Sequence, residues 1–237
     1  MNADDLGQSP GVNRGIFETY EHGIVTSASL MVRWPAAAKA AAYCRSRPCF
    51  SVGIHFDFGE WALQSSEWAP LYEVVPEGDR NAVKVEVARQ LVAFRKLMGR
   101  DPTHIDSHQH VHHEEACRDI FLDLAIALAV PLRDFSTTVR YSGGFYGQTG
   151  RGTSLPQMIT PGAMVDLIGK LEPGITEMGC HPGYADDLQS MYRSERQLEI
   201  QALCDPGVRR AIEGAGIELC SFHDVASCAQ AQDGAVQ

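Results

Sequence analysis

The sequence lacks the motifs with which many enzymes bind nucleotides. It contains no P-loop and no GxGxxG turn, so nucleotide cofactors have no support. Its seven cysteines are odd in number and irregularly spaced, and no two of them form a CxxC pair. This pattern argues against a framework of disulfides and favours the reducing environment of the cytoplasm.

Long apolar runs and an excess of positive charge are also missing. No apolar run reaches ~18 residues, so we expect no membrane span, and no signal peptide is recognisable. The chain has 20 basic and 30 acidic residues and a formal net charge of −10. Such a charge argues against binding to nucleic acid or to an anionic membrane. A neutral substrate such as a sugar remains compatible with it.

The sequence has the composition of an α/β protein and the alternating strand-like and helix-like segments that are typical of this class. Hydrophobic residues make up 44% of the 237 residues, enough for the core of one domain spanning residues 1–237. Strand-like and helix-like segments alternate, which indicates parallel strands. We predict a long loop at 139–161, helices at 11–21, 36–44, 81–98, 114–128, 163–171 and 195–204, and strands at 24–32, 50–58, 103–107, 174–180 and 216–222. Gly23 is expected to end the first helix in a left-handed conformation.

Polar residues cluster at or just after the ends of these strands. They are Asp4 and Asp5, His55, the segment from His104 to His113, and His181. Active sites of parallel α/β barrels and sheets form at the carboxyl ends of the strands. We therefore expect these residues to meet.

The acidic pair Asp4–Asp5 is flanked by apolar residues. Burying two adjacent carboxylates is costly, and a metal ion offsets that cost while dividing their roles between ligand and base. On the dipeptide alone, an acidic tail or a helix cap remains the alternative.

Five of the nine histidines fall within the run THIDSHQHVHH at residues 103–113. An extended backbone would place Asp106, His108 and His110 on one side. Two histidines and one carboxylate bind first-row metal ions and leave positions open for water. Not all five can be ligands, so the others are expected to orient ligands or contact the substrate. Surface histidines on a polar loop are the alternative.

His55 and His181 are weaker signals when each is taken alone. His55 lies on an apolar strand, where a hydrogen-bonded core histidine is the alternative. Pro182 biases His181 towards an extended backbone, and a histidine beside a turn is the alternative. We expect no serine nucleophile. We also expect no thiol catalysis, because Cys180 and His181 are neighbours along a strand and therefore point to opposite faces of it.

Four blocks together resemble the YdjC/ChbG carbohydrate deacetylases: NADDLGQSPGVNRGIFETYEHGIVTSASLMV, SVGIHFDF, PTHIDSHQHVH and MGCHPGYADD. The resemblance runs from residue 2 to about 225. It implies a distorted (β/α) barrel of the glycoside hydrolase/deacetylase type. It also implies hydrolysis of the N-acetyl group of amino sugars such as those in chitooligosaccharides, with a small carbohydrate as the substrate. The protein is expected to act alone or as a homodimer.

The resemblance also implies roles for individual residues. Asp5, His55 and His108 would bind a divalent metal ion, Mg²⁺ or Zn²⁺. Asp4 would act as the base and His181 as the general acid. Apart from the resemblance, the histidine-rich run itself leads us to expect that Asp106, His110 and His112 orient the ligands or contact the substrate.

One feature departs from the family pattern. Members of the family carry a short strand before the acidic pair, whereas here Met1 stands almost directly before it. Either residues upstream of the printed sequence supply this strand, or the first barrel strand is missing.

Two other functions remain open on the sequence. His108 and His110 resemble the HxH motif of amidohydrolases, and a related metal-dependent barrel could hydrolyse a cyclic amide or a phosphoester. Loss of the first strand could instead leave an inactive metal-binding homologue.

Overall fold

The computed structural model describes residues 1–65 and 67–225. Eight strands are found in this part of the chain, six of them in one sheet of parallel strands and two in an antiparallel hairpin. The strands are β1 (Asn2–Leu6), β2 (Ser27–Leu30), β3 (Ser51–Phe56), β4 (Gly59–Gln64), β5 (Glu67–Glu73), β6 (Ile105–Ser107), β7 (Val139–Ser142) and β8 (Ile175–Cys180). The sheet order is β6-β3-β2-β1-β8-β7, and β4 pairs with β5 in the hairpin.

Helices connect the parallel strands and cover the sheet, which curls into part of a barrel. They are α1 (Pro10–His22), α2 (Ala37–Arg45), α3 (Arg80–Met98), α4 (Glu115–Leu128), α5 (Pro161–Ile168), α6 (Ser194–Leu203) and α7 (Pro206–Gly214). The predicted α/β fold of distorted-barrel type is confirmed. Among the helices of the described residues, none is both long enough and apolar enough to cross a lipid bilayer.

The first strand is present, and the prediction that it is missing or supplied from upstream was wrong. Residues Asn2–Leu6 form β1, which is buried along its whole length. β1 lies in the middle of the sheet and pairs in parallel with β2 and β8. Central parallel strands usually consist of apolar residues. The sequence NADDL is polar, so the pattern of apolar residues did not predict this buried strand.

Three further segments differ from the predictions. The segment 139–161 is not one long loop, because Val139–Ser142 pairs with β8. Residues 216–222 form no strand, whereas Pro206–Gly214 forms the unpredicted helix α7. Short apolar runs predict burial but do not identify a pairing partner.

Capping residues explain where several of the helices begin and end. Ser9 caps α1, since its side chain accepts a hydrogen bond from the Val12 N–H, and Asp79 caps α3 in the same way. Gly99 ends α3 in the left-handed conformation with φ 72°. Gly23, by contrast, has φ −110°, so the left-handed end predicted for α1 was wrong.

Candidate active site

The carboxyl ends of β1, β3, β6 and β8 surround a cavity of about 290 Å³. Asp4, Asp5, His55, His108 and His181 all line it. These residues come from four distant stretches of the chain, and parallel strands bring them together because their carboxyl ends share one edge. The convergence expected from the sequence is therefore present in the structure.

Asp5, His55 and His108 form a compact group of potential metal ligands. Asp5 Oδ1 lies 3.0 Å from His108 Nδ1 and 3.3 Å from His55 Nε2. Two ligand atoms each about 2.1 Å from one ion lie about 3.0–3.4 Å apart. The spacing of these atoms therefore fits a shared divalent cation. Asp5 has φ +65°, an unusual conformation for a residue that is not glycine and one typical of functional sites.

Neighbouring side chains hold these donors in place. Asp106 Oδ1 lies 2.7 Å from His55 Nδ1, which leaves the Nε2 of His55 directed towards Asp5. Arg196 Nη2 donates to the other oxygen of Asp5 at 2.6 Å. Such contacts behind a ligand set the orientation of its ring and its basicity. Asp106 thus contacts His55 from behind, and its role in orienting this ring stays a prediction.

The carboxylates around the two histidine rings favour their protonated forms. Burial alone would lower the pKa of His55, but the adjacent Asp106 carboxylate raises it to about 9. The pKa of His108 is likewise raised despite burial, chiefly by Asp5. A histidine must lose its proton before it can bind a metal ion. We therefore expect a cation at this site to compete with protons, so that its affinity rises with pH.

His108 Nε2 and Glu60 Oε2 are among the buried polar atoms at the cavity wall that have no hydrogen-bond partner in the described residues. They face each other at a distance of 3.7 Å. Buried polar atoms without a partner are rare, because desolvation without compensation is costly. These two atoms are therefore available to an ion or a substrate, and Glu60, on the β4–β5 hairpin, was not found by sequence reasoning.

Asp4 lies beside the ligand group and forms a buried ion pair with Arg133. Its two oxygens accept hydrogen bonds from Arg133 Nη1 at 2.6 Å and Nη2 at 2.8 Å. Burial alone would raise the pKa of Asp4, but the guanidinium more than offsets this and lowers it. Asp4 is therefore a carboxylate at neutral pH, with its negative charge at the cavity wall.

Arg133 is the cation that allows three carboxylates to be buried together. It lies 2.6 Å from Asp4 Oδ2, 2.7 Å from Asp106 Oδ2 and 2.6 Å from Glu177 Oε1. Its side chain is 1% exposed. The sequence signal was an arginine directly after the short apolar segment from Val130 to Leu132, too weak to predict this role.

Replacing Arg133 with methionine is expected to lower the free energy of unfolding by about 3–5 kcal/mol, because it leaves buried carboxylates without a counter-charge. Urea denaturation followed by circular dichroism measures this loss. The matched control is Arg140→Met, which removes an exposed ion pair with Glu172 and should change the stability by about 1 kcal/mol or less. Equal effects of both substitutions would contradict the role of Arg133.

His181 faces Asp4 across the cavity. Its Nε2 lies 3.7 Å from Asp4 Oδ2, and its Nδ1 has no hydrogen-bond partner among the described residues. Its ring lies beside the stacked rings of Tyr146 and Tyr192, whose centroids are 5.5 and 5.4 Å from it and 4.7 Å from each other. Burial lowers the pKa of His181 to about 4, so the ring is neutral at pH 7.

The segment His108–His113 forms a 3-10 turn, which we call the histidine turn. Gln109 and His110 have positive φ values of 50° and 57°, so the backbone is not extended and the alternation predicted for Asp106, His108 and His110 was wrong. His110 lies at the rim of the cavity. His112 instead points behind the turn, where its Nδ1 lies 2.7 Å from Ser107 Oγ.

The segment at residues 7–11, GQSPG, matches the GxSxG pattern of serine hydrolases. The expectation that no serine acts as a nucleophile therefore depends on the structure. Ser9 caps α1, and its Oγ donates to Asp187 Oδ1 at 2.7 Å while it accepts from the Val12 N–H. A nucleophilic serine requires an adjacent base such as histidine, and no histidine bonds to Ser9 within the described residues.

Glu199 is a buried carboxyl group behind His181. It accepts hydrogen bonds from the backbone N–H of His181 and from the Tyr192 hydroxyl. Burial raises its pKa from 4.5 to about 8. The group therefore keeps a proton at neutral pH in the folded protein.

Glu199 contributes to the stability of the folded protein, and we expect its contribution to decrease as the pH rises from about 4.5 to about 8. At this group the folded state holds more protons than the unfolded state in this window, so its share of the free energy of unfolding falls with pH. The stabilisation is fully present below pH 4.5 and is lost as the pH passes through the folded pKa. Urea denaturation of both proteins over this range should show that the stability of the wild type relative to Glu199→Gln falls as the pH rises, and a constant difference would contradict the assignment.

Comparisons with known proteins agree on one family. The profile of the family described as YdjC-like protein matches residues 1–214. A chitooligosaccharide deacetylase of Serratia marcescens is 31% identical, with 95% of this chain and 98% of that protein covered. A carbohydrate deacetylase of Geobacillus stearothermophilus is 32% identical, with 94% and 96% covered.

Solved structures show the same architecture. A protein from Enterococcus faecalis V583 to which cellobiose-phosphate cleavage has been attributed superposes with a TM-score of 0.76 and 26% identity, over 94% of this chain and 97% of that one. A family 4 carbohydrate esterase from Streptomyces lividans, solved with acetate, superposes with a TM-score of 0.53 at 12% identity, over 93% and 88%. The second similarity concerns the fold alone. The sequence match over nearly the whole chain shows that this protein belongs to the YdjC-like family.

Proposed function

We propose that this protein is a metal-dependent carbohydrate deacetylase, which hydrolyses the N-acetyl group of an amino sugar of the N-acetylglucosamine or chitooligosaccharide type. One observation carries the proposal: a carboxylate, Asp4, lies in one cavity with a separate group of three metal-binding side chains. The names of the two relatives, which deacetylate carbohydrates, support the class of substrate.

The donor atoms of Asp5, His55 and His108 suit a divalent cation. Two imidazoles and one carboxylate leave coordination positions open for water and substrate, as in catalytic sites. When bound, Zn²⁺ or Mg²⁺ supplies a Lewis acid that polarises a carbonyl group and makes water more acidic. The two histidines favour Zn²⁺, whereas the carboxylate of Asp5 is an oxygen ligand of the kind that Mg²⁺ prefers.

Asp4 acts as the general base in this proposal. Arg133 keeps it ionised, and both of its oxygens are held by the guanidinium. It takes a proton from the water that attacks the acetamide carbonyl carbon. Because Asp4 belongs to β1, in the middle of the sheet, its position relative to Asp5 is rigid.

His181 acts as the general acid. Its ring is neutral at pH 7, so the proton that it donates must reach it during the reaction. Asp4 Oδ2 lies 3.7 Å from His181 Nε2 and can supply the proton taken from water. His181 then protonates the amine nitrogen as the C–N bond breaks, which yields acetate and the free amino sugar and restores the carboxylate of Asp4.

The cavity walls suit a sugar. Trp61, Tyr141 and Tyr146 line the cavity together with the acidic groups. Aromatic rings pack against apolar C–H faces and carry polar groups at their edges. The volume of about 290 Å³ lies near the lower end of small-molecule sites, which span about 300–1,000 Å³. These features favour one or two sugar residues over a large polymer segment.

Acetate release from N-acetylglucosamine, its dimer and its trimer tests the proposal. We expect release with added Mg²⁺ or Zn²⁺, loss of release after treatment with a chelator, and recovery when the metal is returned. Phosphate release from sugar phosphates is measured in parallel, since a phosphoesterase is the main alternative. Phosphate release without acetate release would overturn the proposal.

A further inference from the structure

A second group of metal-binding side chains lies beside the catalytic cavity and is not used by the proposed mechanism. Of its four members, His110 lines the rim of the cavity and the other three do not. His110, His112, His113 and Asp134 offer four ligand atoms within 4.8 Å of one another. Three of them belong to the histidine turn, and Asp134 lies in the segment after α4. We call this group the outer cluster.

The arrangement of the rings fits coordination of a single ion. The ring centroids of His112 and His113 are 4.6 Å apart, and His110 lies 5.7 and 5.6 Å from these two. Rings that share one ion at about 2.1 Å from each ligand nitrogen have centroids about 4.5–5.5 Å apart. Only a small movement of the three imidazole rings towards one another would therefore bring a nitrogen of each within binding distance of one ion.

His112 provides an independent sign of a ligand. Its side chain is fully buried, and its Nε2 has no hydrogen-bond partner among the described residues. Its other nitrogen, Nδ1, lies 2.7 Å from Ser107 Oγ. A metal-binding histidine commonly uses its second nitrogen in this way, because that bond fixes the tautomer and aims the free lone pair.

His113 and Asp134 supply the exposed side of the cluster and its negative charge. His113 Nε2 lies 3.0 Å from Asp134 Oδ2, and the two side chains are 42% and 33% exposed. Asp134 has φ +62°, and Gln109 and His110 are also in left-handed conformations. Three such residues in two neighbouring segments are costly without a compensating interaction, and a bound ion at the cluster provides one.

We propose that the outer cluster is a second metal site, which binds one Zn²⁺-type ion through His110, His112, His113 and Asp134. Three imidazoles and one carboxylate suit Zn²⁺ and exclude Mg²⁺, which requires oxygen ligands. Four protein ligands leave no open position, which is typical of structural rather than catalytic zinc. The ion holds the turn that carries His108. The inference does not rest on the deacetylase activity.

The test is the zinc content after equilibrium dialysis against Zn²⁺, measured by elemental analysis. The wild-type protein should bind two equivalents per chain, and the double variant His113→Ala/Asp134→Asn should bind one. The matched control, His22→Ala, removes an exposed histidine at the end of α1 and should still bind two. Equal zinc contents of the wild type and the double variant would overturn the proposal.

A second experiment isolates the outer cluster from the catalytic cavity. His55→Ala removes a ligand of the inner group and should retain one equivalent of Zn²⁺, and Co²⁺ in its place should give the intense visible bands of a four-coordinate ion. Adding His113→Ala and Asp134→Asn should abolish both signals. If His55→Ala, shown by circular dichroism to be folded, binds no metal, the outer site does not exist, whatever the activity of the wild type.

Discussion

Asp4→Asn is expected to lower the turnover of N-acetylated sugars by about 10²–10⁴-fold while leaving the metal content unchanged. Asparagine has the shape of aspartate but cannot accept the proton of the attacking water. Asp4 contacts Arg133 and not the metal-binding atoms of Asp5, so the inner group should remain intact. Acetate release and elemental analysis of the same preparation measure the two effects.

The control for this variant is Asp205→Asn. Asp205 caps α7, which packs against α5 and not against the cavity, and asparagine caps helices about as well as aspartate. Its turnover should match that of the wild type. If Asp4→Asn retains nearly normal turnover, Asp4 is not the base and the proton must go elsewhere.

His108→Ala is expected to remove one equivalent of bound metal and to lower acetate release by more than about 100-fold. Even residues that only orient a ligand contribute about 10–100-fold to metal affinity, and His108 supplies a donor atom 3.0 Å from Asp5 Oδ1. Elemental analysis with Mg²⁺ as the only added metal reports on the inner group alone, because the imidazole-rich outer cluster does not suit Mg²⁺.

His22→Ala serves as the histidine control here as well, and it should change neither the metal content nor the rate. Circular dichroism establishes that His108→Ala is folded, since the substitution lies in the histidine turn. A folded variant with its full metal content would exclude His108 from the inner group. Full activity without bound metal would go further and remove the metal dependence from the proposed function.

Much of the site follows from local sequence patterns. His55 and the histidine-rich run each stand next to an apolar strand, and His181 precedes a proline, so their positions at the carboxyl edge of the sheet were predictable. The main exception among these segments is β1. Its sequence, NADDL, is polar because the site is built into the strand itself, and the pattern of a buried strand is lost for that reason.

The arginines and Glu60 show what sequence patterns do not reveal. Arg133 and Arg196 bind Asp4 and Asp5 across separations of 129 and 191 residues. No local periodicity records such a pairing. Glu60 belongs to the β4–β5 hairpin, which interrupts the regular alternation of strands and helices. Its carboxylate lies near His108 only because the folded hairpin packs at the cavity.

The sequence by itself determined the class of fold, the family and the chemical types of the site residues, because these depend on short-range patterns of apolar, acidic and imidazole side chains. The tertiary structure places His108 beside Asp5, as the family resemblance implied, and it alone reveals that three of the other histidines form a separate cluster with Asp134. The physical reason lies in the backbone of residues 108–113. The left-handed conformations of Gln109 and His110 point successive histidine rings in different directions. This backbone conformation is stabilised by contacts with β1, Ser107 and Asp134, all of which lie outside the turn.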